Sequence, residues 1–244
     1  MPRFKIVIQY DGTGFRGWQL QKKERTIQSE IESALKKINN GKLIRVHGAG
    51  RTDTGVHATG QVAHFDLGTD MDSCELKDAL NGNLPKDIQI ITSNVVTDVF
   101  HARFSAKKRY YLYRIRMDGF LLDRHYTWQT TELDLDLLNI AAAYIIGDHD
   151  FTSFSRNNKD LEHRRCLIYE SVWKGNGPVV NYYITGNRFL HHMVRYLVGT
   201  MVEIARGKYE LDRFKKLIDR PTEDVHIFKA PPKGLVLKQV DYDE

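Results

Sequence analysis

The sequence is poor in cysteine and has no long apolar run. Its two cysteines, Cys74 and Cys166, form no Cys-x-x-Cys pair, so they predict neither a disulfide framework nor a cysteine-based zinc site. No segment approaches the roughly 18 apolar residues that a membrane span requires. No signal peptide is visible before the first strand-like segment. These absences predict a soluble protein of the reducing cytoplasm, with no membrane partner.

Common catalytic motifs are also absent. The chain has no P-loop, no Gly-x-Ser-x-Gly turn and no Gly-x-Gly-x-x-Gly after a strand, and the spacing of Gly12, Gly14 and Gly17 is wrong for a phosphate loop. Acidic pairs such as Asp134 with Asp136 stand where helix caps belong, which disfavours a two-metal nuclease. The histidines form no zinc pattern. We therefore expect no metal and no cofactor.

Positive charge is in modest excess, with 36 Lys and Arg against 31 Asp and Glu. A basic cluster alone is typical of a solvated face. Here, however, Lys107, Lys108 and Arg109 run directly into Tyr110, Tyr111 and Tyr113. Basic residues interleaved with aromatic residues favour a nucleic-acid partner.

The hydrophobic periodicity predicts an α+β protein. Strands are expected at 4–10, 43–46, 61–65, 88–96, 110–117 and 177–185, and helices at 27–38, 75–80, 135–146 and 189–205, with 81–85 as loop. Asp11-Gly12 and Asp118-Gly119 end strands at equivalent points of the two halves. This faint repeat predicts two related α/β halves, 1–105 and 106–244, each an antiparallel sheet with helices on one face.

Asp53 is the candidate for chemistry, because small residues surround it between two strands. Gly48, Gly50 and Gly55 would let a large ligand approach the backbone. A carboxylate there can act as a nucleophile or a base, and Arg51 could keep it ionised. The alternative is that Asp53 only serves an Asx-type turn.

A cationic ridge is possible on the predicted helix 189–205. Arg188, His191 and Arg195 stand at i, i+3 and i+7, where they would share a face. His191 and His192 would point about 100° apart on that helix. The ridge could face an anion or simply be the polar side of an amphipathic helix.

Eight segments in order resemble the tRNA pseudouridine synthase A family, and the resemblance they carry extends over nearly the whole chain. They are 10–19, 50–58, 84–88, 100–106, 109–113, 151–154, 189–195 and 230–235. The most specific are Arg-Thr-Asp-Thr-Gly-Val-His-Ala at 51–58 and Phe-His-Ala-Arg-Phe-Ser-Ala at 100–106. Arg165-Cys166-Leu167 departs from the family's usual Arg-Thr-Ile, which leaves a paralogue with another RNA target open.

The resemblance implies a cofactor-free isomerase that converts uridine to pseudouridine at positions 38, 39 and 40 of the tRNA anticodon stem-loop. The C1′–N1 bond breaks, the uracil turns, and C5 joins C1′. Asp53 corresponds to the catalytic carboxylate, Tyr111 to the active-site tyrosine and Arg195 to the ion-pair partner of Asp53. The resemblance leaves open whether Asp53 attacks C1′, attacks the uracil ring or removes the C2′ proton.

The implied fold is two RRM-like or ferredoxin-like halves around a central basic cleft, in a homodimer that grips tRNA. The residues expected to bind RNA are Arg51, Thr52, Thr54, His57, Arg103, Lys107, Lys108, Arg109, Arg188 and His191. Two alternatives from other classes are a non-catalytic RNA-binding module, which would bind without forming product, and a metal-dependent nuclease, which EDTA would inhibit.

Overall fold

The computed structural model describes residues 1–156, 163–223 and 225–243. In chain order, the elements within these ranges are β1 (Arg3–Tyr10), α1 (Ile27–Ile38), β2 (His47–Gly48), β3 (His57–Asp66), α2 (Ser73–Asn83), β4 (Ile88–Val96), β5 (Ala106–Arg116), β6 (Trp128–Gln129), α3 (Leu135–Tyr144), β7 (Gly147–Asp150), β8 (Arg165–Asn176), β9 (Val179–Gly186), α4 (Met193–Ala205), α5 (Leu211–Asp219) and β10 (Leu235–Tyr242). They fall into two compact units, Met1–Lys107 with Val236–Glu244, and Lys108–Leu235.

The sheet of the first unit has the strand order β4-β1-β3-β10, with the short β2 beside β3. β1 runs antiparallel to both β3 and β4, and β10 runs parallel to β3. Every second side chain of β1 is buried, from Phe4 to Tyr10, because alternate residues of a strand face one side of the sheet. α2 packs against β4, and α1 lies beside α2.

Local signals explain why α1 begins where predicted and which face it buries. The Thr26 side chain accepts a hydrogen bond from Ser29 N, and the Ser29 hydroxyl oxygen accepts one from Thr26 N, which satisfies two amide groups at the helix start. Ile27, Ile31 and Leu35 recur on one face and are buried, so the apolar stripe supplies the packing free energy.

The sheet of the second unit has the order β5-β9-β8-β7, with antiparallel neighbours, and β6 pairs in parallel with β5. α3 packs against β8 and α4, and α5 packs against α3 and β7. In the core, Trp173 stacks on Tyr182 with ring centres 4.6 Å apart. Asn139 of α3 ties the helix to β8, because its side chain accepts from Trp173 N and donates to Trp173 O at 2.9 and 3.1 Å. The predicted α+β class, with two α/β units and mostly antiparallel strands, is confirmed.

Two predicted elements are wrong in the first unit. Residues 43–46 are not a strand; Val46 N donates to the buried Glu32 carboxylate at 3.1 Å and so forms no ladder. Residues 81–83 are helix, not loop. Asn83 donates to Ala79 O at 2.9 Å, so polar side chains that favour loops in a sequence support the helix end here.

The longer elements β8, β10 and α5 were not predicted, nor were the short strands β2, β6 and β7. The two units also differ from the predicted halves, 1–105 and 106–244. The difference comes from β10, because residues 236–244 group with the first unit. The cause is the pairing of Val236 with His57, two residues far apart in sequence. Among the described helices, none combines the length and the apolar character needed to cross a bilayer.

Candidate functional site

Asp53 lies in the loop between β2 and β3, and backbone hydrogen bonds fix the course of that loop. Ala49 N donates to Val62 O at 2.7 Å, and Val56 N donates to Asp53 O at 3.1 Å. The buried Gln61 side chain donates to Gly50 O at 2.8 Å. The loop is therefore held at its start, at its tip and at its return to the sheet.

A second segment, 11–18 after β1, braces the loop from outside. Trp18 N donates to Thr52 O at 3.1 Å, and Gly55 N donates to Phe15 O at 3.3 Å. Gly12 N donates to His57 Nδ1 at 3.0 Å. The residues on both sides of Asp53 are thus positioned by another part of the chain, which gives the carboxylate a defined place.

Glycine is required where the two segments meet. A Cβ on Gly12 would lie 2.0 Å from Val56 O, and one on Gly17 would lie 2.6 Å from Thr52 O. Gly17 also has a φ of +87°, which disfavours other residues. A Cβ on Gly50 would meet nothing within 4 Å. Gly12 and Gly17 form a close backbone contact and not a phosphate loop, and nothing in their spacing indicates that contact.

Buried polar groups support the loop from the sheet. Tyr10 Oη and Thr52 Oγ1 are 2.8 Å apart, and the Gln61 amide donates to Tyr10 Oη at 3.5 Å. Burial raises the pKa of Tyr10 to about 12, so its hydroxyl keeps its proton. Thr52 and His57, predicted to bind RNA, are instead buried within this support, whereas Arg51 and Thr54 are exposed and Asp53 is partly exposed.

Arg25 lies outside every motif of the sequence analysis, and it holds the bracing segment in place. Its guanidinium makes a two-pronged ion pair with Asp87 at 2.8 and 2.9 Å and bonds to Glu30 at 3.0 Å. The same group lies over the Phe15 ring at 4.1 Å, and Asp11 N donates to Asp87 O at 3.0 Å. Arg25 therefore links the segments 10–19 and 84–88.

In the second unit, Tyr111 lies on β5, opposite Ile184 of β9. Its ring meets the Phe189 ring edge-on, with centres 5.1 Å apart, a favourable aromatic arrangement. Tyr111 is partly exposed. The next but one residue, Tyr113, is fully buried and donates to Pro231 O at 2.7 Å. Burial raises the pKa of Tyr113, and the charge of Arg195 opposes that rise.

Arg195 lies on α4 with only 8% of its surface exposed. Its Nε donates to Ala230 O, and Ala230 N donates to Arg195 O, both at 2.9 Å. A Cβ on Gly199 would lie 2.4 Å from Phe228 O, so the chain at 228–230 passes directly against the helix. This contact orients the guanidinium.

The predicted cationic ridge does not form as a helical stripe. α4 begins at Met193, so Arg188 and His191 precede it. His192 has a φ of +65°, a left-handed conformation that no helix continues. His191 and His192 consequently do not point apart; their rings stack with centres 3.9 Å apart.

The remaining RNA-binding candidates have different surroundings. Arg103, Lys107 and Lys108 are exposed, but Lys107 pairs with Asp243 at 2.8 Å, and Lys108 Nζ lies 5.1 Å over the Tyr169 ring. Arg109 is buried, and its guanidinium donates to Asn187 O. It supports the chain before Arg188.

The sequence pattern of the tRNA pseudouridine synthase family matches residues 6–105 and 141–243. A tRNA pseudouridine synthase A of Anoxybacillus flavithermus is 39% identical over the whole of both chains. That of Maridesulfovibrio salexigens is 39% identical over all of this chain and 92% of its own. That of Listeria monocytogenes is 39% identical over the whole of both.

The chain belongs to the tRNA pseudouridine synthase family. It is therefore an isomerase that converts uridine to pseudouridine. Asp53 and Arg195 lie in the two matched stretches, whereas Tyr111 lies between them. A solved structure entitled "Crystal Structure of a Cbf5-Nop10-Gar1 Complex" aligns with 96% of this pseudouridine synthase and 57% of that chain, at 10% identity and a TM-score of 0.39, too low to bear on the fold.

Three histidines of this pseudouridine synthase gather in the first unit without forming a metal site. His64 Nδ1 accepts from Ala102 N at 3.1 Å, and His101 Nδ1 accepts from Arg103 N at 3.2 Å. A neutral imidazole with an acceptor at Nδ1 carries its proton on Nε2, so neither ring has a lone pair left for a metal. His47 completes the cluster, 5.0 Å from the His64 ring centre.

Proposed function

We propose that this enzyme isomerises uridines 38, 39 and 40 of the tRNA anticodon stem-loop, with Asp53 as the catalytic carboxylate. The observation that carries the proposal is the bracing of the Asp53 loop. Trp18 of the bracing segment bonds to the loop just before Asp53, and Gly55 of the loop bonds to the bracing segment just after it. Gly12, where the two segments meet, has no room for a side chain. A loop that only turned the chain would not require such restraint, whereas a reacting carboxylate requires a fixed position.

The chemistry assigns a role to each candidate residue. A stacked base must leave its helix before it can react, and the partly exposed Tyr111 ring offers it a flat face. Asp53 has to be ionised to attack carbon or take a proton, and Arg195 is proposed as the counter-ion that favours the charged form. The Ala230 carbonyl, which accepts from Arg195 Nε, restricts how that guanidinium can turn.

RNA binding is proposed for the exposed members of the predicted set, namely Arg51, Thr54, Arg103, Lys107, Lys108 and His191, together with the partly exposed Arg188. Lysine and arginine contacts to phosphate make affinity fall with salt. Thr52, His57 and Arg109 are proposed to act indirectly, since each is buried. The central basic cleft, the homodimer and the cytoplasmic location are proposals that rest on family membership and, for location, on the sparse cysteines.

The test is to map pseudouridine in an unmodified tRNA transcript after incubation with the purified enzyme. Carbodiimide labelling with primer extension should show new pseudouridine at positions 38–40, and a transcript with cytidine there should show none. Product at another position would favour the paralogue. Binding of tRNA without product would favour the RNA-binding module. Loss of activity in EDTA would indicate that the reaction depends on a metal ion.

A further inference from the structure

The turn between β4 and β5 presents an aromatic ring to solvent. Phe104 is 77% exposed, although burial of a phenylalanine side chain contributes about 1.5–3 kcal/mol to folding. Most other phenylalanines of the chain are partly or fully buried. The placement of Phe104 therefore gains nothing for the core and indicates a contact outside the fold.

Hydrogen bonds hold the backbone of this turn. His101 N donates to Ser105 Oγ at 3.0 Å, and Ser105 N donates to His101 O at 2.9 Å. His101 Nδ1 also accepts from Arg103 N and from Phe104 N at 3.2 and 3.3 Å. The backbone on both sides of the ring is thus ordered before any ligand arrives, which lowers the entropic cost of binding.

Phe104 lies at the edge of a cluster of three histidine rings. Phe104 lies against His101 with centres 4.4 Å apart and a tilt of 34°, and His101 meets His64 edge-on at 4.6 Å. The ring centre of His47 lies 5.0 Å from that of His64 and 5.8 Å from that of His101. His64 is buried, whereas His47 is exposed. His101 backs one side of Phe104, and the 77% exposure of Phe104 leaves room for a further flat ring.

A positive charge accompanies the exposed ring. The Arg103 guanidinium carbon lies 5.7 Å from the centre of the Phe104 ring, and Arg103 is exposed. A flat ring beside a cation matches a nucleotide, which offers a base for stacking and a phosphate for the charge. An apolar protein surface would match the ring but not the arginine.

We propose that Phe104 is a stacking platform for an unpaired base of the bound tRNA, with Arg103 contacting the adjoining phosphate. The proposal rests on the proposed function only in that RNA is the ligand. It adds a binding site to the catalytic residues and does not depend on which uridine reacts.

The test compares Phe104→Leu, Phe104→Trp and Val99→Ala in the full-length enzyme. Val99 is the matched control, since it is an apolar residue of the same turn and is 83% exposed. Filter binding uses a tRNA transcript with cytidine at positions 38–40, so that those positions do not turn over. Phe104→Leu should weaken binding about 5- to 150-fold, the effect of losing one stacked base. Phe104→Trp should stay within about 3-fold of wild type, and Val99→Ala should not differ from it.

Salt dependence separates the two parts of the site. Phe104→Leu removes no charge and should keep the slope of log affinity against log salt, whereas Arg103→Gln should reduce it by about 1. Thermal melts confirm folding. Wild-type affinity in Phe104→Leu would overturn the proposal, and so would an equal loss in a folded Phe104→Trp. A changed oligomeric state with unchanged tRNA affinity would assign the ring to a protein contact instead.

The two proposals fail in different ways. Absence of pseudouridine at positions 38–40 would refute the target positions and leave the binding comparison readable. Equal tRNA affinity of wild type and Phe104→Leu would refute the platform and leave the reaction untouched.

Discussion

The two units hold their candidate catalytic groups in different ways. Asp53 is on an irregular loop whose backbone is bonded to another loop, and its side chain is partly exposed. Arg195 is on a helix, is buried, and bonds to a carbonyl of its own unit. The acid can therefore be altered without disturbing a core, whereas the arginine is part of one.

The largest effect is expected from Asp53→Asn. The amide has nearly the shape of the carboxylate but cannot attack carbon or take a proton, so the rate should fall by about 10⁴-fold. Tritium release from 5-tritiated uridine in tRNA measures the rate. The melting temperature and the tRNA affinity should be those of wild type, because the loop is fixed through its backbone. Asp70→Asn, at an exposed aspartate, is the control. Retained activity would remove Asp53 from the mechanism.

Arg195→Met should reduce both activity and stability. Loss of the counter-ion should lower the single-turnover rate by about 10²-fold. Loss of the donor leaves the Ala230 carbonyl without its Nε partner, which costs about 1–3 kcal/mol. Arg195→Lys retains a charge and should recover part of the rate but not the geometry. Near-normal turnover would refute the counter-ion role, and an unchanged melting temperature would remove the contrast with Asp53.

The sequence indicated Asp53 as a candidate more directly than it indicated the surroundings of Arg195. Asp53 stands in a run of small residues whose composition and family resemblance both indicate a site. The stripe with Arg188 and His191 failed because it assumed a helix through His192, whose left-handed backbone depends on how the chain enters α4. Arg195 itself was found only through the family pattern. No periodicity shows that Ala230 will bond to it.

Contacts distant in sequence were beyond any local pattern. β1, α1 and β4 were predicted because the helix cap and the hydrophobic patterns that specify them lie within each segment. β10 was missed because its pairing with β3 joins Val236 to His57. The roles of Gly12 and Arg25 were missed for the same reason, since the Val56 carbonyl and Asp87 that they contact lie elsewhere in the chain.

Gly12→Ala tests whether the bracing is needed. The new Cβ would lie 2.0 Å from Val56 O, so one segment must move, at a cost of about 1–3 kcal/mol. Because Val56 belongs to the Asp53 loop, the rate should fall as well. Gly50→Ala is the matched control, since nothing lies within 4 Å of its Cβ, and it should keep both folding and rate. Urea unfolding and single-turnover kinetics measure the two. A normal rate in a destabilised Gly12→Ala would show that the brace serves folding alone.

The pH dependence of stability should differ in direction between the two units. Burial, followed by the nearby charges of His101, His47 and Arg3, lowers the pKa of His64 in the first unit from 6.5 to about 4. Between these values the unfolded chain takes up a proton and the folded chain does not. Stability should therefore decrease as pH falls from 6.5 towards 4, by at most about 1.4 kcal/mol per pH unit. His64→Gln should flatten this acid limb.

In the second unit, burial raises the pKa of Cys166 from 9.0 to about 12. Above pH 9 the unfolded thiol loses its proton and the folded thiol keeps it, so stability should decrease as pH rises from 9. Cys166→Ala should flatten the curve between pH 9 and 10, before the buried tyrosines contribute, and should leave the acid limb unchanged. Urea titrations from pH 5 to 10 measure the free energy of unfolding, and its slope against pH is compared in each limb. A substitution that destabilises the protein equally at every pH does not change these slopes. If His64→Gln altered the alkaline slope, or Cys166→Ala the acid slope, the assignment of the acid limb to the first unit and of the alkaline limb to the second would be wrong.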